Sequence, residues 1–122
     1  MAEPSTLTKY QFNKSFNDTE ANLGNAGVFN GLTRDLGAVD SDKGYKQFNA
    51  FAISSHASAA NGFKIECSND GTTWRTAAQV ALVADTPAYL SAIITTRYYR
   101  VKLTNGATLT TYLMINSSFT KT

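Results

Sequence analysis

Apolar and polar residues alternate with a period of two along most of the chain. In residues 62–68 (GFKIECS), Phe63, Ile65 and Cys67 fall on one face and Lys64, Glu66 and Ser68 on the other, the pattern of a strand with one wet side. In residues 97–106 (RYYRVKLTNG), Tyr99, Val101 and Leu103 alternate with Tyr98, Arg100, Lys102 and Thr104, which predicts a second half-buried strand. Residues 107–119 (ATLTTYLMINSSF) carry Leu109, Thr111, Leu113 and Ile115 on one side and Tyr112 and Met114 on the other. With two fairly apolar faces this segment reads as a central or covered strand. Weaker strand candidates lie at 26–37, 46–56 and 87–95, each bounded by Gly, Pro, Asn or Asp.

The turns punctuate this pattern. Residues 68–71 (SNDG) and 104–106 (TNG) are Asn/Asp-Gly signals, in which Asn and Gly accept the positive φ of tight hairpins. They predict one hairpin from strands near 62–68 and 73–83, and another from strands near 97–104 and 108–119. Residues 72–85 compete as helix through their Ala, Gln and Leu, but their Thr and Val and their place after a turn favour strand. The fold class expected is all-β: a two-sheet antiparallel β-sandwich, jelly-roll or related Greek key, with about eight strands. Its core is expected to hold Phe63, Ile65, Cys67, Trp74, Tyr99, Val101, Leu103, Leu113 and Ile115.

Residues 1–24 read differently. Leu7, Tyr10, Phe12, Phe16 and Leu23 are spaced among Lys, Asn, Ser and Thr, too polar for an independent core and too aromatic for a solvated tail. The expected organisation is an extended arm over 1–24, suited to lie along another chain or to add a strand to its sheet, followed by a sandwich domain over 25–122.

Composition narrows the function. The chain has 122 residues, 43% of them hydrophobic and 16% charged, with a net charge of +2. That is one domain with one core and a neutral, polar surface. The basic residues are scattered, without the stripe of a nucleic-acid binder, and no apolar run approaches a membrane span. No signal-peptide core opens the sequence, so synthesis and assembly in the cytoplasm are expected. One cysteine, Cys67, cannot close an internal disulfide.

The chemistry-bearing residues do not assemble into a catalytic motif. His56 is the only histidine; one His and one Cys are too few for a zinc site, and a serine nucleophile would lack its base. Asp35, Asp40 and Asp42 cluster in residues 34–44, but the distal Glu of a calcium loop is missing, and a polar loop is the simpler reading. No phosphate-binding Gly-rich loop occurs. The expectation is a protein without enzyme activity, cofactor or metal. Recognition falls to aromatics, Trp74, Tyr89, Tyr98, Tyr99 and Tyr112, which offer a large apolar face with a polar tip. Phe63, Tyr99 and Trp74 are read as core before they are read as contacts.

The segments GVFNGLTRDLG, FKIECSNDGTTWRTAAQV and TTRYYRVKLTNGATLTTYLMI together resemble a β-sandwich module of bacteriophage virion proteins, found in head-decoration, fibre and tail-associated chains. The Ser-x-Asp-Gly-x-x-Trp turn is also similar, more distantly, to sandwiches of the galactose-binding or discoidin type. The resemblance covers roughly residues 25–119 and implies a structural virion protein, a capsid decoration, vertex or minor capsid component acting by subunit contacts in a symmetric particle. Its implied partners are other virion or capsid proteins and further copies of itself. The alternative is a carbohydrate-binding module of a tail fibre or spike that recognises a host glycan. Under either reading the candidate contact residues are Tyr10, Phe12, Phe16, Tyr89, Tyr98, Arg100 and Tyr112.

Overall fold

The structure is a computed structural model that describes residues 14–36 and 45–121. Among these residues there are nine strands and no helix: β1 (Lys14–Thr19), β2 (Val28–Asn30), β3 (Arg34–Asp35), β4 (Tyr45–Ser54), β5 (Ser58–Ser68), β6 (Arg75–Val80), β7 (Ala88–Ile93), β8 (Tyr98–Asn105) and β9 (Leu113–Lys121). They form two antiparallel sheets packed as a sandwich. Sheet A has the order β1-β9-β4-β7; sheet B has the order β2-β8-β5-β6, with β3 also paired to β8.

The period-two segments fold as their pattern dictates. Tyr99, Val101 and Leu103 of β8 face inward with Phe63 and Ile65 of β5, and meet Phe48, Ala50, Ala52, Leu113, Ile115 and Phe119 of sheet A. At the centre the Phe48 ring meets Tyr99 edge-on at a centroid distance of 4.8 Å, and Phe119 stacks on Tyr99 at 4.9 Å. Such aromatic pairs add to the stabilisation that burial alone provides. Residues 75–80 are strand and not helix, paired along β5, because their exposed Thr and Gln lie on a sheet edge where an isolated helix would have little to pack against.

Two core expectations are revised. Cys67 lies opposite Tyr99 in register but sits at the strand end and is only half-buried. Trp74 is half-buried on the outer face of sheet B, where its ring lies 4.0 Å from the guanidinium carbon of Arg100. Arg100 in turn donates through Nε to Glu66 at 2.9 Å. The indole therefore shields an ion pair instead of filling the core, an arrangement that strengthens both contacts by excluding water.

The expected arm is also revised in part. From Lys14 onward the chain is built into the sandwich: β1 pairs with β9, Lys14 opposite Phe119 and Asn17 opposite Asn116. Asp18 follows at a bulge, its side chain only 1% exposed, where it accepts hydrogen bonds from Arg34 Nη2 (2.8 Å) and Ser117 Oγ (2.6 Å). The Arg34 guanidinium also covers the Phe16 ring at 3.5 Å. A buried carboxylate needs such partners, and these tie β1 of sheet A to β3 of sheet B. Residues 1–13 lie outside the described residues, as does the Asp40/Asp42 loop.

Of the two expected hairpins, one forms. The SNDG segment joins β5 to β6: Gly71 takes a φ of +80°, Ser68 Oγ accepts from the Gly71 amide at 2.9 Å, and Asp70 Oδ1 accepts from the amides of Thr72 and Thr73 at 2.9 and 2.8 Å. The TNG segment does not close a hairpin. β8 belongs to sheet B and β9 to sheet A, so the chain after Asn105 crosses between the sheets. Asn105, 2% exposed, turns its Nδ2 toward the carbonyls of Leu23 (3.0 Å), Gly24 (2.7 Å) and Thr108 (2.9 Å).

The buried Asn105 Nδ2 faces three carbonyls, of which Leu23 keeps the Thr110 amide and Gly24 the Gly27 amide, so its removal costs the side chain's own hydrogen bonds, about 1–3 kcal/mol in all. Asn105→Ala is expected to lower the unfolding free energy by about that amount in urea titrations, and Asn105→Asp by more, because it sets a carboxylate against carbonyl oxygens.

A second prediction concerns pH. The Asp70 carboxylate is held well below the usual carboxylate range, first by the amide of Thr73, then by that of Thr72 and by the Ser68 hydroxyl. Its depressed pKa contributes stability above the unfolded value, about 3.9, that is lost as the pH falls further. Asp70→Ala should therefore melt lower than the parent protein at neutral pH. The gap between their melting temperatures should narrow progressively as the pH is lowered from about 5 toward 2.

Candidate functional site

The alternation that buries one side of each sheet A strand leaves the other side to build a surface. Across the four strands, register places Asn17 beside Asn116, Asn116 beside Phe51 and Phe51 beside Tyr89. One row of side chains thus runs over the whole outer face, amides on the β1 side and aromatics on the β7 side. The next row, two residues along each strand, is Ser15, Ser118, Asn49 and Ser91. All of these residues except Ser91 line a groove of about 580 Å³.

The groove has an apolar end and a polar lane. The Phe51 and Tyr89 rings lie 5.3 Å apart with their planes tilted by 49°, and Tyr89 is 72% exposed. In the lane, Asn49 Oδ1 accepts from Ser91 Oγ at 2.7 Å and from Gln47 Nε2 at 3.1 Å. The Asn49 Nδ2 reaches Ser118 Oγ and Thr120 Oγ1 only at 3.4 Å each. Neither row contains a charged side chain; Glu20 sits at the rim, where it accepts from Asn17 Nδ2 at 3.1 Å.

The outer face of sheet B has the opposite character. Lys64 and Lys102 stand directly opposite each other, flanked by Gln79 and Asn30, a like-charge pairing that disfavours the sheet locally. The Glu66–Arg100 pair beneath Trp74 lies in the adjoining row.

The candidate contact residues named from the sequence do not converge on one surface. Tyr10 and Phe12 lie outside the described residues. Phe16 is half-buried beneath Arg34 on the inward side of β1. Tyr89 stands in the groove, whereas Tyr98 and Arg100 are on sheet B, Tyr98 beside the Arg97 guanidinium at 5.1 Å. Tyr112 is exposed on the β8–β9 connection and donates its hydroxyl to Asp85, a contact that raises the pKa of the phenol. Phe51, Asn49, Asn116 and Ser118 were not singled out from the sequence. Their signal was present as the polar or outward half of the alternation in residues 47–53 and 114–120.

Among the described residues no three His, Cys, Asp or Glu side chains come together as a metal site, and no helix is long and apolar enough to cross a membrane. His56 is half-buried, its Nδ1 2.9 Å from Ser55 Oγ.

The chain belongs to the family described as the uncharacterised protein YqxG N-terminal domain, whose profile matches residues 4–120. Among curated proteins none matches this sequence. Its fold is similar to that of the PBSX exported protein XepA, with a TM-score of 0.78 and 22% identity over 89% of this chain. The match spans 37% of the length of XepA. More distant similarities are to a subunit of Bacillus endospore appendages, described as disulfide-linked pili (TM-score 0.54, 8% identity, 89% of this chain and 86% of that one), and to PirA (TM-score 0.52, 9% identity, 88% and 92%). At these identities the likeness is one of fold.

Proposed function

We propose that this chain is a non-enzymatic structural module of a phage-related particle or exported assembly, a decoration, vertex or minor component held by contacts between subunits. The observation that carries the reading is the free edge of sheet A. Among the described residues β7 pairs on one side with β4 and has no strand paired on the other. Its six residues, Ala88–Ile93, include no charge and no proline, and its outward side chains Tyr89 and Ile93 are 72% and 54% exposed. Edge strands of proteins that stay apart are usually guarded by charges, proline or a covering segment. An unguarded edge suits the addition of a strand from a neighbour.

Two further observations support the same reading. Within the described residues the virion-like motifs occupy strands and turns of sheet B, the crossing that follows it and the first residues of β9. XepA is an exported protein, and the endospore appendage subunit assembles into pili; both share the sandwich. On this reading the chain acts outside the cytoplasm, on or within an assembled particle. The pili are disulfide-linked, whereas Cys67 here is half-buried and the only cysteine, so the contacts proposed are non-covalent.

Mass spectrometry of density-purified particles, followed by imaging of tagged copies, tests this. The chain is expected in a fixed ratio to the major particle protein. Ile93→Lys, which guards the β7 edge with a charge, is expected to reduce that ratio while leaving the melting temperature of the isolated chain unchanged. Recovery of the parent chain solely as free protein would refute the structural role.

A further inference from the structure

We propose that the outer face of sheet A binds a neutral oligosaccharide, laid across the four strands along the row of Asn17, Asn116, Phe51 and Tyr89. This goes beyond the structural role and uses the face of the sheet, not its edge. It also differs from a site made of loop aromatics, since Tyr112 and Tyr98 lie elsewhere.

The dimensions fit first. Neighbouring strands are about 4.8 Å apart, so a row crossing four of them is about 14 Å long, and the parallel row lies about 7 Å away. That is room for two or three pyranose rings end to end, in a groove open to solvent along its length.

The chemistry fits next. A pyranose presents a patch of C–H bonds on its ring face and a rim of hydroxyls, each able to donate and to accept. The Phe51 and Tyr89 rings, 5.3 Å apart and tilted by 49°, offer a shallow trough for the C–H patch, where dispersion and exclusion of water both favour contact. Leaving Tyr89 72% exposed forgoes that gain in the free protein. Beside the trough, the Asn116 side chain makes no hydrogen bond among the described residues, and its amide supplies both a donor and an acceptor. Asn49 is fixed through its Oδ1 by Ser91 and Gln47, while its Nδ2 makes only two long contacts of 3.4 Å. Those contacts are readily exchanged for a shorter bond to a ligand hydroxyl, so the lane is oriented in advance and loses little order on binding.

Charge selects the class of sugar. Neither row carries an ionised group, and the one at the rim, Glu20, is negative. An acidic polymer would gain no ion pair here and would meet Glu20, so the complement is an uncharged glycan. Stacking two copies of this face would instead bury the amide and hydroxyl lane against itself, at a cost for every group left unpaired.

The test uses the isolated full chain, so that failure of particle association and failure of sugar binding are read separately. Neutral hexasaccharides of glucose, galactose, mannose or N-acetylglucosamine, and polygalacturonate as the acidic probe, are titrated by calorimetry and by amide chemical shifts. At least one neutral hexasaccharide is expected to bind, with shifts confined to β1, β9, β4 and β7. Tyr89→Ala and Asn116→Ala are each expected to weaken it by roughly tenfold or more, Tyr89→Trp to retain it, and Tyr98→Ala on the opposite face to leave it unchanged, all with unaltered melting temperatures. The proposal is overturned if no neutral hexasaccharide binds, if polygalacturonate alone binds, if Tyr98→Ala rather than Tyr89→Ala abolishes binding, or if Tyr89→Ala dissolves a dimer without changing sugar affinity.

Discussion

Everything in this sandwich hangs on a clasp between two crossings. Among the chain's crossings between the sheets, the one from sheet A to sheet B after β1 and the one from sheet B to sheet A after β8 run alongside each other. Leu23 donates its amide to Thr110 Oγ1 at 2.9 Å and accepts from the Thr110 amide at 3.0 Å. Farther along, the Ala26 amide donates to Gly106 and the Asn105 amide to Gly27, both at 2.8 Å. Asn105 closes the clasp with its side chain. Backbone groups buried where strands leave their sheets have no ladder to satisfy them. By pairing the two exits with each other, the fold meets that requirement and fixes the spacing of the sheets at the same time.

With the sheets held in this way, each strand has one inward and one outward side, and the outward sides of the two sheets have diverged. Sheet B shows a basic surface with its opposed lysines and a shielded ion pair. Sheet A shows amides, hydroxyls and two aromatic rings without charge. The inward row behind the groove consists of small residues, Ala50 and Ser117, between Phe16 and Leu90. Aromatic bulk is thus displaced from the inner to the outer side of β4 at this level, Phe51 standing out where Ala50 turns in. The same alternation that makes the core leaves the recognition surface.

The strands were legible in the sequence because their two-residue period is local. The positions of β5 and β8, their register and most of the core could be read from which residues alternate. The second hairpin could not, because Thr-Asn-Gly marks a change of direction without saying whether the next strand returns to the same sheet. That choice is made by Leu23 and Gly24, some eighty residues earlier in the chain than Asn105. Trp74 is illegible for a related reason: its size argues for the core, but its partner Arg100 arrives from another strand. The groove was the least legible feature. Its first row draws one residue from each of four strands, at positions 17, 116, 51 and 89, and no window of sequence contains two of them. The segment around β1 reads as part of an arm because a lone edge strand carries little pattern of its own, and because its partner β9 lies about a hundred residues away.

That partnership has a consequence for the order in which the molecule can be made. Sheet B possesses all of its described strands once the chain reaches Asn105. Sheet A has β1, β4 and β7 by then, but β9 stands between β1 and β4, so β1 has nothing to pair with until Leu113–Lys121 emerges. Closing so long a loop is slow compared with forming a local hairpin. The β4–β7 pair can therefore form ahead of β9, while β1 waits more than ninety residues for the strand that joins it to the rest of sheet A.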